Sequence, residues 1–331
     1  MPARTIDAHR PDRTGPWEQI LSTYLDALLD HARERVATAR ARRSLSTLQD
    51  AAQAVAPGPS LRAALSGPGV SVLAEVKRAS PSKGPIAPGL DAVAQAQAYR
   101  SGGAAGVSVL TEPSRFAGHL DDLAGVAALG VPALRKDFIV DPYQIWEARE
   151  AGAAAVLLIV AALDAAQLAD LHAEARAAGL DVLVEVHDAD EVAAVHAIGA
   201  DLVGVNARDL RTFEVDAGAF ARLRAQLPAG AVAVAESGIT SPADVQVVAA
   251  AGADAVLVGE SLVRADDPAR AVAALVAAGQ QSHPRTGAGP DDTSGSVTPT
   301  PPAPHGTVTD TDGGAASPTD VPAGRTSTCA S

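Results

Sequence analysis

The sequence predicts an α/β fold, a (βα)8 TIM barrel with an extra N-terminal helix and a disordered C-terminal tail. Short apolar runs alternate eight times with Ala-rich helical stretches, their ends 20 to 34 residues apart. Each interval holds one strand, one helix and two loops, and strands joined through helices pair in parallel. Gly-Ala pairs at 103–104, 152–153, 199–200 and 252–253 precede every second run, at intervals of 49, 47 and 53 residues. Each glycine is placed to end a helix in the left-handed conformation. A βαβα unit repeated four times favours a closed barrel over a doubly wound open sheet.

The elements follow in order. Residues 1–15 are polar and are expected to be disordered. Within Trp17–Arg43, Ile20, Leu21, Tyr24, Leu25, Leu28 and Leu29 keep helical spacing, so this extra helix needs a surface for its apolar stripe, most simply one end of the barrel. The strand runs are 71–77, 107–111, 131–136, 155–160, 181–186, 201–206, 231–236 and 255–259, within one barrel domain over 16–279. Residues 280–331 are Pro, Gly, Thr, Ser and Asp without an aromatic, too polar to offset the entropy of ordering, and read as a tail.

Composition narrows the function classes. A net charge of −13 with 3% aromatic residues argues against nucleic acid as a partner, which asks for a basic surface and stacking rings. The single cysteine, Cys329, allows no intrachain disulfide and no cysteine metal site. The longest apolar run, Ala151–Leu163, is too short for a bilayer, and the first 30 residues hold no signal-peptide core. The expected setting is cytoplasmic, with no membrane partner.

In such a barrel the site lies at the C-terminal ends of the strands. Glu75 and Lys77 share one face of the first strand, while Ala74 and Val76 face the helices. Leu134 and Lys136 share a face of the third, and Leu183 and Glu185 point inward between Val182, Val184 and Val186. The sixth strand ends at Asn206 and the seventh at Glu236. Solvated strand-end charges are the plain alternative. Two Lys, three Glu and one Asn on one mouth, with apolar residues behind each, are too costly to gather there unless they are paired or used.

The loops add an anion. Ala235-Glu236-Ser237-Gly238-Ile239 and Val258-Gly259-Glu260-Ser261 put Gly and Ser after the last two strands, where barrels often hold phosphate on backbone N–H groups. Ser80-Pro81-Ser82-Lys83-Gly84-Pro85 after the first strand has the make-up of a lid or of an ordinary surface loop. The eight His are scattered without metal-ligand spacing; His187, beyond Glu185 on the same strand face, reads as a supporting residue. No GxGxxG, Walker or nucleophile-elbow motif occurs, so acid–base chemistry without metal or organic cofactor is expected.

Over about residues 17–279 the chain resembles the indole-3-glycerol-phosphate synthase family. The resemblance rests on AEVKRASPSKG (74–84), SVLTE (108–112), LRKDFIVDPYQI (134–145), LVEVHD (183–188), GVNARDL (204–210), AESGI (235–239) and VLVGES (256–261), in family order. It implies a barrel whose N-terminal helix overlies the site. The implied reaction is closure of the pyrrole ring of 1-(2-carboxyphenylamino)-1-deoxyribulose 5-phosphate, with loss of CO2 and water and without a cofactor.

Carried over by position, Lys136 resembles the general acid, and Glu185 and Glu75 the carboxylates that move protons during closure and dehydration, their division of labour left open. Lys77 resembles the second lysine, paired with a Glu. Asn206 and Glu236 resemble groups that hold substrate hydroxyls and the lysines. Ser80 and Arg208 would lie toward the substrate carboxylate, and Phe138 would wall the aromatic ring, or simply pack. Ser237, Gly238, Gly259, Glu260 and Ser261 match the phosphate loops. The implied partners are the phosphorylated small molecule and, among proteins, other tryptophan-pathway enzymes.

Two departures stand beside these motifs: Ala117 where a second Gly is common, and Ala207 where Asn or Ser is frequent. Phosphoribosylanthranilate isomerase, a phosphate-binding barrel of the same pathway, would need a Cys in the first strand, and the only Cys here is in the tail. A non-catalytic barrel that binds the sugar phosphate is the alternative from another class; lost catalytic charges would mark it, and none is lost.

Overall fold

The computed structural model describes residues 16–209 and 212–281, with side chains from Tyr24 onward. The expectations for 1–15 and for 282–331 lie outside the described residues. Eight strands close a parallel barrel: β1 Ser71–Val76, β2 Gly106–Leu110, β3 Ala133–Lys136, β4 Ala155–Ile159, β5 Asp181–Val186, β6 Leu202–Asn206, β7 Val232–Glu236 and β8 Ala255–Val258. Closure is made by β8 pairing back on β1, from Ser71↔Ala255 to Ala74↔Val258. Observed and expected strand limits agree within two residues.

Side chains sort by the period of two. Leu73, Leu134, Leu157, Leu183, Leu202, Val234 and Leu257 meet inside the barrel. Val72, Ala74, Val76, Val182, Val184 and Val186 pack outward on the helices. Each strand is preceded, two or three residues upstream, by a glycine with positive φ. Gly103, Gly152, Gly199 and Gly252 (+90°, +80°, +65°, +90°) are the expected ones, and Gly69, Gly130, Gly179 and Gly230 do the same work in the alternate loops. The repeat is therefore βα eight times, finer than the four-fold signal of the Gly-Ala pairs.

The barrel is stoppered at the N-terminal ends of its strands by a short helix absent from the sequence reading, Leu61–Leu65. Leu61 and Leu65 are fully buried in the inner cluster. Ser60 Oγ (2.7 Å) and Arg62 N (2.9 Å) donate to Asp181 at the start of β5, which fixes the stopper in place.

The opposite end is covered by the N-terminal helix Pro16–Arg42, whose Leu28, Leu29 and Ala32 share the inner cluster with Phe138, just past β3. The expected stripe thus lies on the barrel mouth from Tyr24 onward, while Ile20 and Leu21 fall among side chains outside the description. The last helix, Pro268–Gln281, runs two residues beyond the expected boundary, its end held by a Val70 N to Gly279 O hydrogen bond of 3.1 Å. No helix among the described residues is long and apolar enough to cross a membrane.

Candidate active site

Because Leu73, Leu183 and Val234 face inward, the residues two further on do so too, and Glu75, Glu185 and Glu236 converge with Lys136 and Asn206 on one cavity. Lys136 Nζ donates to Glu185 Oε2 (2.6 Å) and Glu236 Oε2 (3.1 Å). Asn206 Nδ2 donates to Glu185 Oε1 (3.1 Å), and Asn206 Oδ1 accepts from Ser237 Oγ (2.8 Å) and Arg208 N (3.0 Å). Lys77 Nζ pairs with Glu75 Oε1 at 2.8 Å, and Ser108 Oγ approaches Glu75 Oε2 at 3.4 Å. The six polar residues expected at the mouth all line the cavity.

Two glycines make room for these charges. A Cβ on Gly204, inward on β6, would overlap Glu236 Oε1. One on Gly259, after β8, would stand 2.6 Å from Glu75 Oε1 and 3.1 Å from Lys77 Nζ.

Electrostatics divides the carboxyls around Lys136. Burial, reinforced by the negative charge of Glu185, lifts Glu236 to about 8 although Lys136 pulls the other way. Burial would lift Glu185 as well, but Lys136 and then His187 hold it well below the usual carboxylate range. Lys136 is raised: burial alone would lower it, and Glu185, Glu236 and Glu75 outweigh burial. At neutral pH the geometry therefore favours an ammonium, an ionised Glu185 and a protonated Glu236. The Glu236 carboxyl, the group that would hold an exchangeable proton, has its Oε2 3.1 Å from Lys136 Nζ.

Opposite the charges lies an apolar wall in which Phe138 and Phe116 face each other at 6.3 Å between ring centroids. The sequence reading had Phe138 alone. Phe116 is set by Glu112, a fully buried N-cap whose carboxylate accepts from Ser114 N, Arg115 N and Phe116 N; the Glu-Pro-Ser run is the local signal for it. Ala117 follows in the left-handed region (φ 53°), a conformation that an Asn or Gly adopts more easily. The segment after β1 folds as a small antiparallel ribbon, Ala79–Ser80 against Gly84–Pro85, and its Ser80, Pro81 and Ser82 line the cavity. Arg78 ties its base to Asp122 (2.5 and 2.8 Å) and to Leu90 O (3.0 Å).

Arg208 reaches the cavity with one guanidinium nitrogen donating to Phe213 O (2.9 Å). Ser237 and Glu260 lie on the cavity wall; Gly238, Gly259 and Ser261, beside them in the chain, do not. Ser237 and Gly238 are successive residues of positive φ (65° and 76°), and the Ser237 bond to Asn206 offsets the strain at that non-glycine position. The Glu260 carboxylate turns to Arg264 (3.1 Å), and the Ser261 hydroxyl is buried without a hydrogen-bond partner.

Asp137, between Lys136 and Phe138, was missed from sequence. Its carboxylate, with no exposed surface, accepts from Arg35 (2.8 and 3.2 Å), Thr111 Oγ1 (2.7 Å), Arg135 Nη2 (3.1 Å) and its neighbour Phe138 N (2.8 Å). One buried anion thus ties the N-terminal helix to the strand that carries Lys136. Among the described residues no group of three or more His, Cys, Asp or Glu is placed to hold a metal ion.

Comparison with known proteins bears on this site. The family model described as indole-3-glycerol phosphate synthase matches residues 25–275. Indole-3-glycerol phosphate synthase 1 of Streptomyces coelicolor is 52% identical over 261 residues, 78% of this chain and 96% of that protein. The indole-3-glycerol phosphate synthase of Mycolicibacterium smegmatis is 51% identical over 264 residues, 80% and 96% respectively. Among solved structures, 3-hexulose-6-phosphate synthase from Salmonella typhimurium aligns with a TM-score of 0.53 at 19% identity, covering 65% of this chain and 100% of that one. Thiamine phosphate pyrophosphorylase from Pyrococcus furiosus aligns at 0.51 and 16%, covering 67% and 99%. At such identities the last two share the barrel alone.

Proposed function

The chain belongs to the indole-3-glycerol phosphate synthase family, and on that premise we propose how the residues of its barrel mouth divide the work of the reaction. The protein is a carbon–carbon lyase of tryptophan biosynthesis. It converts 1-(2-carboxyphenylamino)-1-deoxy-D-ribulose 5-phosphate into indole-3-glycerol phosphate, CO2 and water.

The ring carbon that bears the carboxylate attacks the ribulose ketone, and the carbonyl electron pair moves onto oxygen. Lys136 gives that oxygen its proton. Positioned proton donors of this kind contribute ~10²–10⁴ in rate. CO2 then leaves, and its bonding electrons restore the aromatic ring. Dehydration follows: the new hydroxyl leaves as water with a second proton, and Glu185 takes the proton that the ring system gives up. Glu236 resupplies Lys136 across the 3.1 Å contact.

Lys77, fixed by Glu75, faces the anionic groups of the substrate together with Arg208 and Ser80. Phe138 and Phe116 hold the aromatic ring by shape and exclude water from the carbons that react. Asn206 orients Glu185 and the sugar hydroxyls. Phosphate lies toward the loops after β7 and β8, held mainly by backbone N–H groups of Ser237, Gly238, Gly259, Glu260 and Ser261. Glu260 does not repel it, because its carboxylate is paired with Arg264.

The observation that carries this reading is Lys136 bracketed by Glu185 and Glu236 on the floor of a cavity walled by two phenylalanines. Other tryptophan-pathway enzymes are the expected protein partners and the cytoplasm the expected setting. The test is turnover of the carboxyphenylamino deoxyribulose phosphate by purified protein in the presence of EDTA, followed by indole fluorescence. Product formation supports the reading; tight binding without product would support a barrel that only holds the ligand.

A further inference from the structure

We propose that His187 and Glu191 form a positioning pair behind Glu185, in which an imidazolium clamped between the two carboxylates holds Glu185 as an anion while Lys136 is engaged with substrate. The proposal rests on the reading of Glu185 as a proton acceptor.

The chain itself builds the clamp. After β5 it turns into the helix Ala189–Ala197, whose N-cap Asp188 accepts from Asp190 N (2.9 Å) and Glu191 N (3.0 Å). This turn folds Glu191 back over His187: its Oε2 accepts from His187 N (2.7 Å) and lies 3.2 Å from Nδ1. On the other side of the ring Nε2 stands 3.3 Å from Glu185 Oε1, an ion-pair contact rather than an aligned hydrogen bond. The ring is largely buried, with 13% of its side chain exposed.

A neutral imidazole carries one N–H and one lone pair. Between two carboxylates, the lone pair would face an anionic oxygen without solvent to screen it, so the doubly protonated ring is the form that fits. The elements packed around it carry other charged groups: Asp170, His172, Glu174 and Arg176 on the helix Ala165–Ala177, and Asp190 and His196 on the clamp's own helix. Among the described residues none of these makes an ion pair with His187, whose ion pairs are to Glu185 and Glu191. β4 and β6, which flank β5, hold no titratable residue, and neither does the turn Val160–Ala162 packed on β5 and the helix. The field at His187 is therefore set by Glu185 and Glu191, and despite burial they push the ring up to about 10.

The consequence appears at Glu185. Its Oε2 depends on Lys136, while Oε1 has Asn206 at 3.1 Å and His187. When Lys136 turns to the ketone oxygen, Oε2 loses its donor. A buried carboxylate left with one amide would take up a proton too early. The imidazolium supplies the charge that remains.

The test uses the full chain and the variants His187→Gln, Glu191→Gln and Glu185→Gln. The first readout is the imidazole ¹⁵N spectrum of wild type at pH 8, with His187 assigned by its loss in His187→Gln; both ring nitrogens are expected to be protonated. The second is the pH dependence of kcat. Without the imidazolium Glu185 is protonated more readily, so the acid limb moves to higher pH, by about one unit in His187→Gln and less in Glu191→Gln. The double variant His187→Gln with Glu191→Gln shifts no further than His187→Gln. A neutral His187 at pH 8, or acid limbs that coincide with wild type in both variants, overturns the proposal. If His187→Gln does not fold, the His187 signal is assigned instead by its shift in Glu191→Gln, and that spectrum and the acid limb of Glu191→Gln decide. Full turnover by Glu185→Gln would instead overturn the reading of Glu185 itself.

Discussion

Gly204 and Glu236 share one place inside the barrel. The Glu236 carboxylate, from the end of β7, occupies the space into which any side chain on β6 at position 204 would project. The proton-holding carboxyl is thus aimed at Lys136 by the absence of a neighbour's Cβ. Gly204→Ala should displace Glu236 and lower kcat on the scale of a lost acid or base, about 10²-fold, while circular dichroism stays that of wild type. An alanine variant with wild-type kcat would show that Glu236 does not need that position.

Stability should fall as pH rises from mildly acidic to alkaline values. Glu236 is raised from 4.5 to about 8, so the native state retains a proton that the unfolded chain releases, and stability is lost across that window. His187 is raised from 6.5 to about 10; its contribution is complete below 6.5 and is lost as pH climbs through 10. Glu185, held low, acts in the opposite sense, and its contribution disappears only as acid protonates it. Urea unfolding from pH 5 to 10 should show the decline, and Glu236→Gln should flatten the part below pH 8. A profile unchanged by that variant would contradict the proton placed on Glu236.

The Asp137 cluster should separate docking from stability. Asp137→Asn leaves the fully buried Arg135 with only the partly buried Glu147 as counter-charge, and breaking a buried pair in this way costs up to about 3–5 kcal/mol. Arg35→Ala removes the partly exposed arm and should cost roughly 1 kcal/mol. Its clearer effect should be a raised KM, because the helix over the mouth is less firmly seated. Denaturant midpoints and steady-state kinetics on both variants check the two halves independently.

The contrast between Glu185 and Asp137 shows what a sequence of this kind reveals. Glu185 was legible because Val182, Val184 and Val186 declare the outward face of its strand, and the period of two then turns Glu185 inward. Asp137 directly follows β3, yet its meaning depends on Arg35, 102 residues away, and no local pattern announces such a contact. Gly204 is similar: its role is space for a carboxylate on the next strand, a tertiary fact invisible in GVN. Phe116 lay within reach, since a Glu-Pro-Ser cap marks a short helix, but only the folded loop shows its ring turned to Phe138. The stopper Leu61–Leu65 is too short for helical periodicity to register.

The most direct test of the account is steady-state turnover of 1-(2-carboxyphenylamino)-1-deoxyribulose 5-phosphate by wild type and Lys136→Ala at pH 7.5, followed by indole fluorescence, with thermal unfolding as the control for folding. The account predicts product from wild type, a kcat lower by about 10²–10⁴-fold in the variant, and a KM within a few-fold of wild type. A folded Lys136→Ala protein that turns substrate over at the wild-type rate would contradict it.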